Sequence, residues 1–205
     1  MNEKGLITTA KILSTLFRPF YMPFIGMLLL FVFSYLSFLP FWTKMKILLT
    51  VYFLTILLPT LLINIYRNYQ GWSPIELGAK ERRLVPYLIS FLCYFACYYV
   101  VNLFHIPHSV GSVLVAAMTI EVLCTMINLK WKISSHMAAI GGVAGALAAF
   151  AQIFTFNPVW WLCLVILLAG VIGTSRMILR QHSLAQVLAG FLLGIVCAYL
   201  AVIWN

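Results

Sequence analysis

The stretch Ser175-Arg176-Met177-Ile178-Leu179-Arg180-Gln181-His182 interrupts two apolar runs, residues 158–174 before it and 183–203 after it. Crossing the hydrocarbon core of a bilayer takes about 20 apolar residues, with a range of roughly 17–25. Both runs meet that length, so cations, a hydroxyl and an imidazole stand at a membrane boundary between two spanning helices. Working outward on the same rule gives further spans at 20–39, 47–66, 85–104, 109–128 and 136–155. The expected fold is all-α: a polytopic transmembrane bundle of seven spans, or six if one run breaks or lies in the interface, forming a single membrane-embedded domain over 1–205.

Composition agrees. The chain is 64% apolar with a mean hydropathy of +1.05, against roughly 45–50% apolar in globular domains. The net charge of +9 is no nucleic-acid footprint, because the cations are scattered between apolar runs instead of gathered on one polar element. Cys93, Cys97, Cys124, Cys163 and Cys197 lie inside apolar runs and read as packing residues, without disulfide or zinc spacing. Lys4, Lys11 and Arg18 precede the first long run with no small-residue cleavage site, which reads as a retained first helix. Trp42, Trp72, Trp131, Trp160, Trp161 and Trp204 fall near span ends, as interfacial anchors do. Gly141, Gly142, Gly145, Gly190 and Gly194 have the small-residue spacing of closely packed helices. His105 and His108 read as a plain turn.

Seven spans put the 67–84, 129–135 and 175–182 loops on one side of the membrane. Three polar patches then share an aqueous surface: Lys80-Glu81-Arg82-Arg83-Leu84-Val85-Pro86, Ser134-Ser135-His136, and Ser175, Arg176 and His182. Arginines and lysines hold phosphate oxygens, and a histidine pair supplies a nucleophile and an acid–base partner. The acids are Glu3, Glu76, Glu81 and Glu121, with no Asp. That composition argues against a carboxylate-bound metal, so the expected chemistry uses no metal and no cofactor. Cations cluster on the motif side, with only Lys44 and Lys46 opposite. The positive-inside rule therefore predicts a cytoplasm-facing site, in the bacterial cytoplasmic membrane.

These residues resemble the type-2 phosphatidic acid phosphatase superfamily of integral-membrane lipid phosphate phosphatases. Ser175, Arg176 and His182 match its Ser-Arg-x5-His signature, and Ile133-Ser134-Ser135-His136 is similar to Pro-Ser-Gly-His. Lys80 through Pro86 is a compressed form of Lys-x6-Arg-Pro. The resemblance implies hydrolysis of a phosphate or diphosphate ester of a membrane lipid through a phosphohistidine. His182 would attack phosphorus, and His136 would protonate the leaving alkoxide and then activate water. Arg176, Lys80, Arg82 and Arg83 would hold the phosphoryl oxygens, with Ser134, Ser135 and Ser175. Where the family has an Asp four residues after the nucleophile, this chain has Gln186. An amide oxygen there can orient the imidazole without adding charge. Glu121, the one acid well inside a span, is a second candidate for supporting the site. The alternatives are a membrane protein that binds lipid phosphate without cleaving it, and a transporter or assembly factor.

Overall fold

The computed structural model describes residues 3–33, 35–72, 84–104 and 108–204. Its helices are α1 (Glu3–Leu16), α2 (Met22–Phe33), α3 (Phe41–Tyr52), α4 (Leu58–Tyr69), α5 (Leu84–Leu103), α6 (His108–Lys130), α7 (Ser135–Phe154), α8 (Val159–Ile178) and α9 (Leu184–Trp204), with no strand among the described residues. Among the described residues, seven helical stretches are long and apolar enough to cross a membrane, and the chain is a multi-pass membrane protein.

The first span differs from the expected 20–39. A helix already begins at Glu3, breaks at Arg18-Pro19, and resumes as α2, which ends at Phe33. Arg18 is extended (φ −67°, ψ 146°), as the residue before proline usually is. The lysines masked this helix in a hydropathy reading. Its organising feature is amphipathic: Ala10 and Ser14, one turn apart, are buried while Ile12 and Thr15 face outward.

α3 and α4 form one stretch, Phe41–Tyr69, joined by a π turn at Phe53–Leu57. Pro59 has no N–H and its ring would press on the carbonyl four residues back. The widened turn just before it, with Leu58 N–H bonded to the Phe53 carbonyl, accommodates that defect.

α7 is the central helix. Over its spanning window 72% is buried, against 28–39% for the other spans. It packs most extensively on α9. The outward stripe of α9, with Leu184, Leu188, Leu192, Val196 and Leu200 exposed, faces lipid, whereas Gly190, Gly194 and Ala198 face α7. A Cβ on Gly194 would strike the carbonyl oxygen of Ala138 and the amide of Gly142; on Gly141 or Gly145 it would strike the carbonyl of Phe191 or Ile195. Because lipid tails are as apolar as leucine, such close backbone contact is a principal source of helix association in a bilayer.

Gly194→Ala is expected to destabilise the bundle by about 1–3 kcal/mol, the usual range for overpacking. Gly170→Ala, where nothing lies within 4 Å of the added carbon, is the matched control. Thermal unfolding in detergent should show a lower midpoint for the first variant only.

Candidate active site

The turn between Arg176 and His182 has a defined geometry. α8 ends at Ile178, and Arg180 adopts a left-handed conformation (φ 51°). Gln181 N–H bonds to the Arg176 carbonyl at 3.1 Å and Arg180 N–H to the Met177 carbonyl at 2.9 Å. This is a Schellman motif, with Arg180 at the position that usually favours glycine. It reverses the chain within the residues separating Arg176 from His182. Both side chains consequently reach the same end of the bundle, and both are buried.

α9 starts immediately afterwards with a capping box. Ser183 N–H donates to Gln186 Oε1 at 3.2 Å, and Gln186 N–H lies 3.5 Å from Ser183 Oγ. The same Gln186 Oε1 stands 3.2 Å from His182 Nδ1. An oxygen that receives a backbone N–H is an acceptor, so Nδ1 carries the proton in this contact. A neutral His182 then keeps its lone pair on Nε2. Gln186 thus stands where its amide oxygen can orient the ring. The Glu121 Oε2 makes no hydrogen bond.

His136 lies in the first turn of α7, with its Nε2 3.1 Å from the Ser14 carbonyl oxygen. A carbonyl only accepts, so Nε2 carries the proton here. The Arg176 guanidinium donates to the Ser14 hydroxyl at 2.5 Å. Ser14, on α1, therefore touches both the imidazole and the cation, and Arg18 also lies close to His136. Sequence inspection missed Ser14 because no motif surrounds it. Its burial beside Ala10, one turn away, is a property of the fold alone.

The serines divide. Ser135 Oγ is 3.1 Å from Tyr87 Oη, which accepts from Asn128 Nδ2 at 3.2 Å, while Asn128 Oδ1 accepts from Ile133 N–H at 3.1 Å. That chain of bonds fixes the turn before α7 and keeps Ser135 on the wall of the site. Ser134 occupies the N-cap of α7 but its side chain makes no cap bond; its hydroxyl is buried without a hydrogen-bond partner. Ser175 donates its proton to the Val171 carbonyl at 2.8 Å, within its own helix. Neither of these two lines the cavity described next. Lys80, Arg82 and Arg83 lie outside the described residues.

His136, Arg176, His182 and Ser135 line one end of a cavity of about 410 Å³ that continues inward between α2, α5, α6, α7 and α9. Its walls include Ser90, Tyr94, Val113, Glu121, Gly142, Ala146 and Ala198. Among the described residues, no group of three His, Cys, Asp or Glu side chains is arranged to hold a metal. The site thus combines a guanidinium, a proton-bearing imidazole and an oriented second imidazole.

The family model of the PAP2 superfamily matches residues 108–205. Over these residues, a little under half of its length, the chain is similar to the PAP2 superfamily. The match takes in α6 to α9, and with them His136, Arg176 and His182, but not the Lys80–Pro86 stretch. No curated protein and no solved structure matches the chain. PAP2 members are phosphatases, and the likeness supports a general phosphatase role on phosphate esters.

Three outcomes follow from this site geometry. Gln186→Leu removes the acceptor shared by His182 and Ser183, and kcat should fall roughly a hundredfold, about 2.7 kcal/mol of barrier. Gln186→Glu keeps the reach and an acceptor oxygen, and should retain turnover; steady-state kinetics on a phosphate ester checks both. Ser14→Ala frees the Arg176 guanidinium from a charge-assisted bond worth about 1.5 kcal/mol or more. A substrate phosphate no longer competes for that donor, so KM should drop roughly tenfold with kcat preserved.

Proposed function

We propose that this protein hydrolyses the phosphate ester of a membrane lipid, without a metal, through a phosphohistidine on His182. The observation that carries the reading is the complementary state of the two imidazoles facing one cavity. His182 is bonded through Nδ1 to Gln186, and His136 presents a proton on Nε2. The first has the form of a nucleophile and the second that of a general acid.

In the proposed sequence His182 Nε2 attacks phosphorus in line with the ester oxygen. The P–N bond forms as the P–O bond breaks, and His136, entering this step as the imidazolium with a proton on each ring nitrogen, gives its Nε2 proton to the departing alkoxide and is left neutral. Neutral His136 then takes a proton from water, which attacks phosphorus and returns His182 free with inorganic phosphate. Arg176 neutralises charge on the nonbridging oxygens, the main requirement of a loose phosphoryl transition state. Its planar fork suits two of those oxygens at once. Ser135, held by Tyr87, lines the cavity and offers a hydroxyl for a third. Lys80, Arg82 and Arg83 remain part of the proposal as further phosphate ligands.

The apolar extension of the cavity supports a lipid over a soluble ester. A small phosphate ester would leave that extension without an apolar ligand to bury. No covalent step requires a cofactor.

The test is phosphate release from a short-chain lipid phosphate in detergent with EDTA present. Release is expected for the wild type and abolished by His182→Ala or His136→Ala. Only His136→Ala should accumulate an acid-labile phosphoenzyme. Label trapped on the His182→Ala protein would reverse the two roles, and release lost on EDTA addition would remove the metal-independent mechanism.

A further inference from the structure

Glu121 is a half-buried acid whose Oε2 is shut off from solvent, and the phosphoryl chemistry leaves it unused. It sits on α6 and lines the cavity that holds His136, Arg176 and His182 at its other end. Its Oε2 makes no hydrogen bond, and the Ser90 hydroxyl on α5 is within bonding reach of the carboxyl. A buried acceptor left unsatisfied destabilises a protein by about 1–3 kcal/mol, so such a group calls for a partner.

Its depth can be read along the helices. The cavity wall on α7 runs from His136 to Ala146, about 15 Å at 1.5 Å per residue. That is half of a hydrocarbon core of about 30 Å. Asn128, on α6, is bonded through Tyr87 to the level of Ser135. Glu121 lies two helical turns further in, about 10 Å along the axis. Apart from Ser90 and Tyr94 on α5, the wall around and below it is made of small or apolar residues, among them Val113, Ala117, Cys124, Gly142, Ala146 and Ala198. The volume of about 410 Å³ is near the lower end of the roughly 300–1,000 Å³ of ligand pockets, which suits one chain. A hydrocarbon chain lying there with its phosphate on Arg176 would pass the carboxyl within its first several atoms.

We infer that Glu121 is a specificity-determining residue that binds a hydroxyl on the substrate's single inserted chain, within roughly 10 Å of phosphorus. The inference rests on the lipid phosphate reading above and narrows its substrate class: hydroxyl-bearing chains are preferred over plain prenyl or alkyl chains. A hydroxyl both donates and accepts, so it satisfies Oε2 whichever way the Ser90 bond is arranged. A plain chain buries that oxygen against carbon, and a site built around a hydrogen bond discriminates strongly against ligands that lack the partner.

The experiment is a hydroxyl walk. A set of alkyl phosphonates of one length, which cannot be hydrolysed, carries a hydroxyl at successive chain carbons, with the unsubstituted phosphonate as reference. Binding to the full-length protein in detergent is measured by calorimetry for the wild type, Glu121→Gln and Glu121→Leu. The wild type is expected to bind one or two adjacent isomers about tenfold more tightly than the reference, equivalent to about 1.4 kcal/mol. Glu121→Leu should lose that preference while binding the reference at least as well as the wild type, and Glu121→Gln should keep part of it. A flat profile in the wild type, or a preference that survives Glu121→Leu, overturns the inference. So does a complete lack of phosphonate binding. Positional preference without turnover of any matching phosphate ester would instead remove the phosphatase reading and leave the Glu121 site standing.

Discussion

The close approach of the α7 and α9 backbones is the constraint on which the site depends. Where two helices meet across glycine, carbonyl oxygens and amides come nearer than any side chain would allow. Gly190 faces the Ser134 carbonyl and Gly194 that of Ala138. One result is a direct backbone bond from Ser134 N–H to the Gln186 carbonyl at 3.4 Å. The start of α7 and the start of α9 are thereby held side by side, and each carries one histidine. In a bilayer this arrangement has no hydrophobic driving force between helices, so the fit of small residues supplies what burial supplies in water.

Local capping chemistry then aims the side chains. The Schellman turn after α8 and the capping box of α9 are ordinary devices for satisfying helix ends. Here they share residues with the site. Arg176 offers its carbonyl to the turn and its guanidinium to Ser14, and Gln186 serves both the helix start and the His182 ring. A carboxylate at position 186 would add charge beside the imidazole. The amide retains the geometry and the tautomer, which is the part of the task that depends on hydrogen bonding.

The N-terminal helix joins this arrangement from far away in the chain. Ser14 is separated from His136 by 122 residues and from Arg176 by 162. Its carbonyl and hydroxyl engage the proton donor and the cation that a phosphate ester would use. A single α1 residue is therefore coupled to both halves of the PAP2 signature, and the break at Pro19 allows α1 to meet the site at its own angle to α2.

Much of this was legible in the residues. The spans stand out because about 20 apolar residues between polar junctions admit few other readings. His136, Arg176 and His182 stand out because ionisable groups in such a chain are rare, and parity of the spans brought them to one side. Other features depended on the third dimension. Ser134 and Ser135 are chemically identical neighbours, and only the rotation from the N-cap to the first helical residue decides which one lines the cavity. The residue pattern at 175–182 holds no glycine to announce the left-handed turn at Arg180. Lys4 and Lys11 disguised α1, since hydropathy averages over a helix that buries only one face. Ser14 and the depth of Glu121 beside the histidines were set by tertiary packing alone, because spacing along a chain carries no information about which distant helix will close over it.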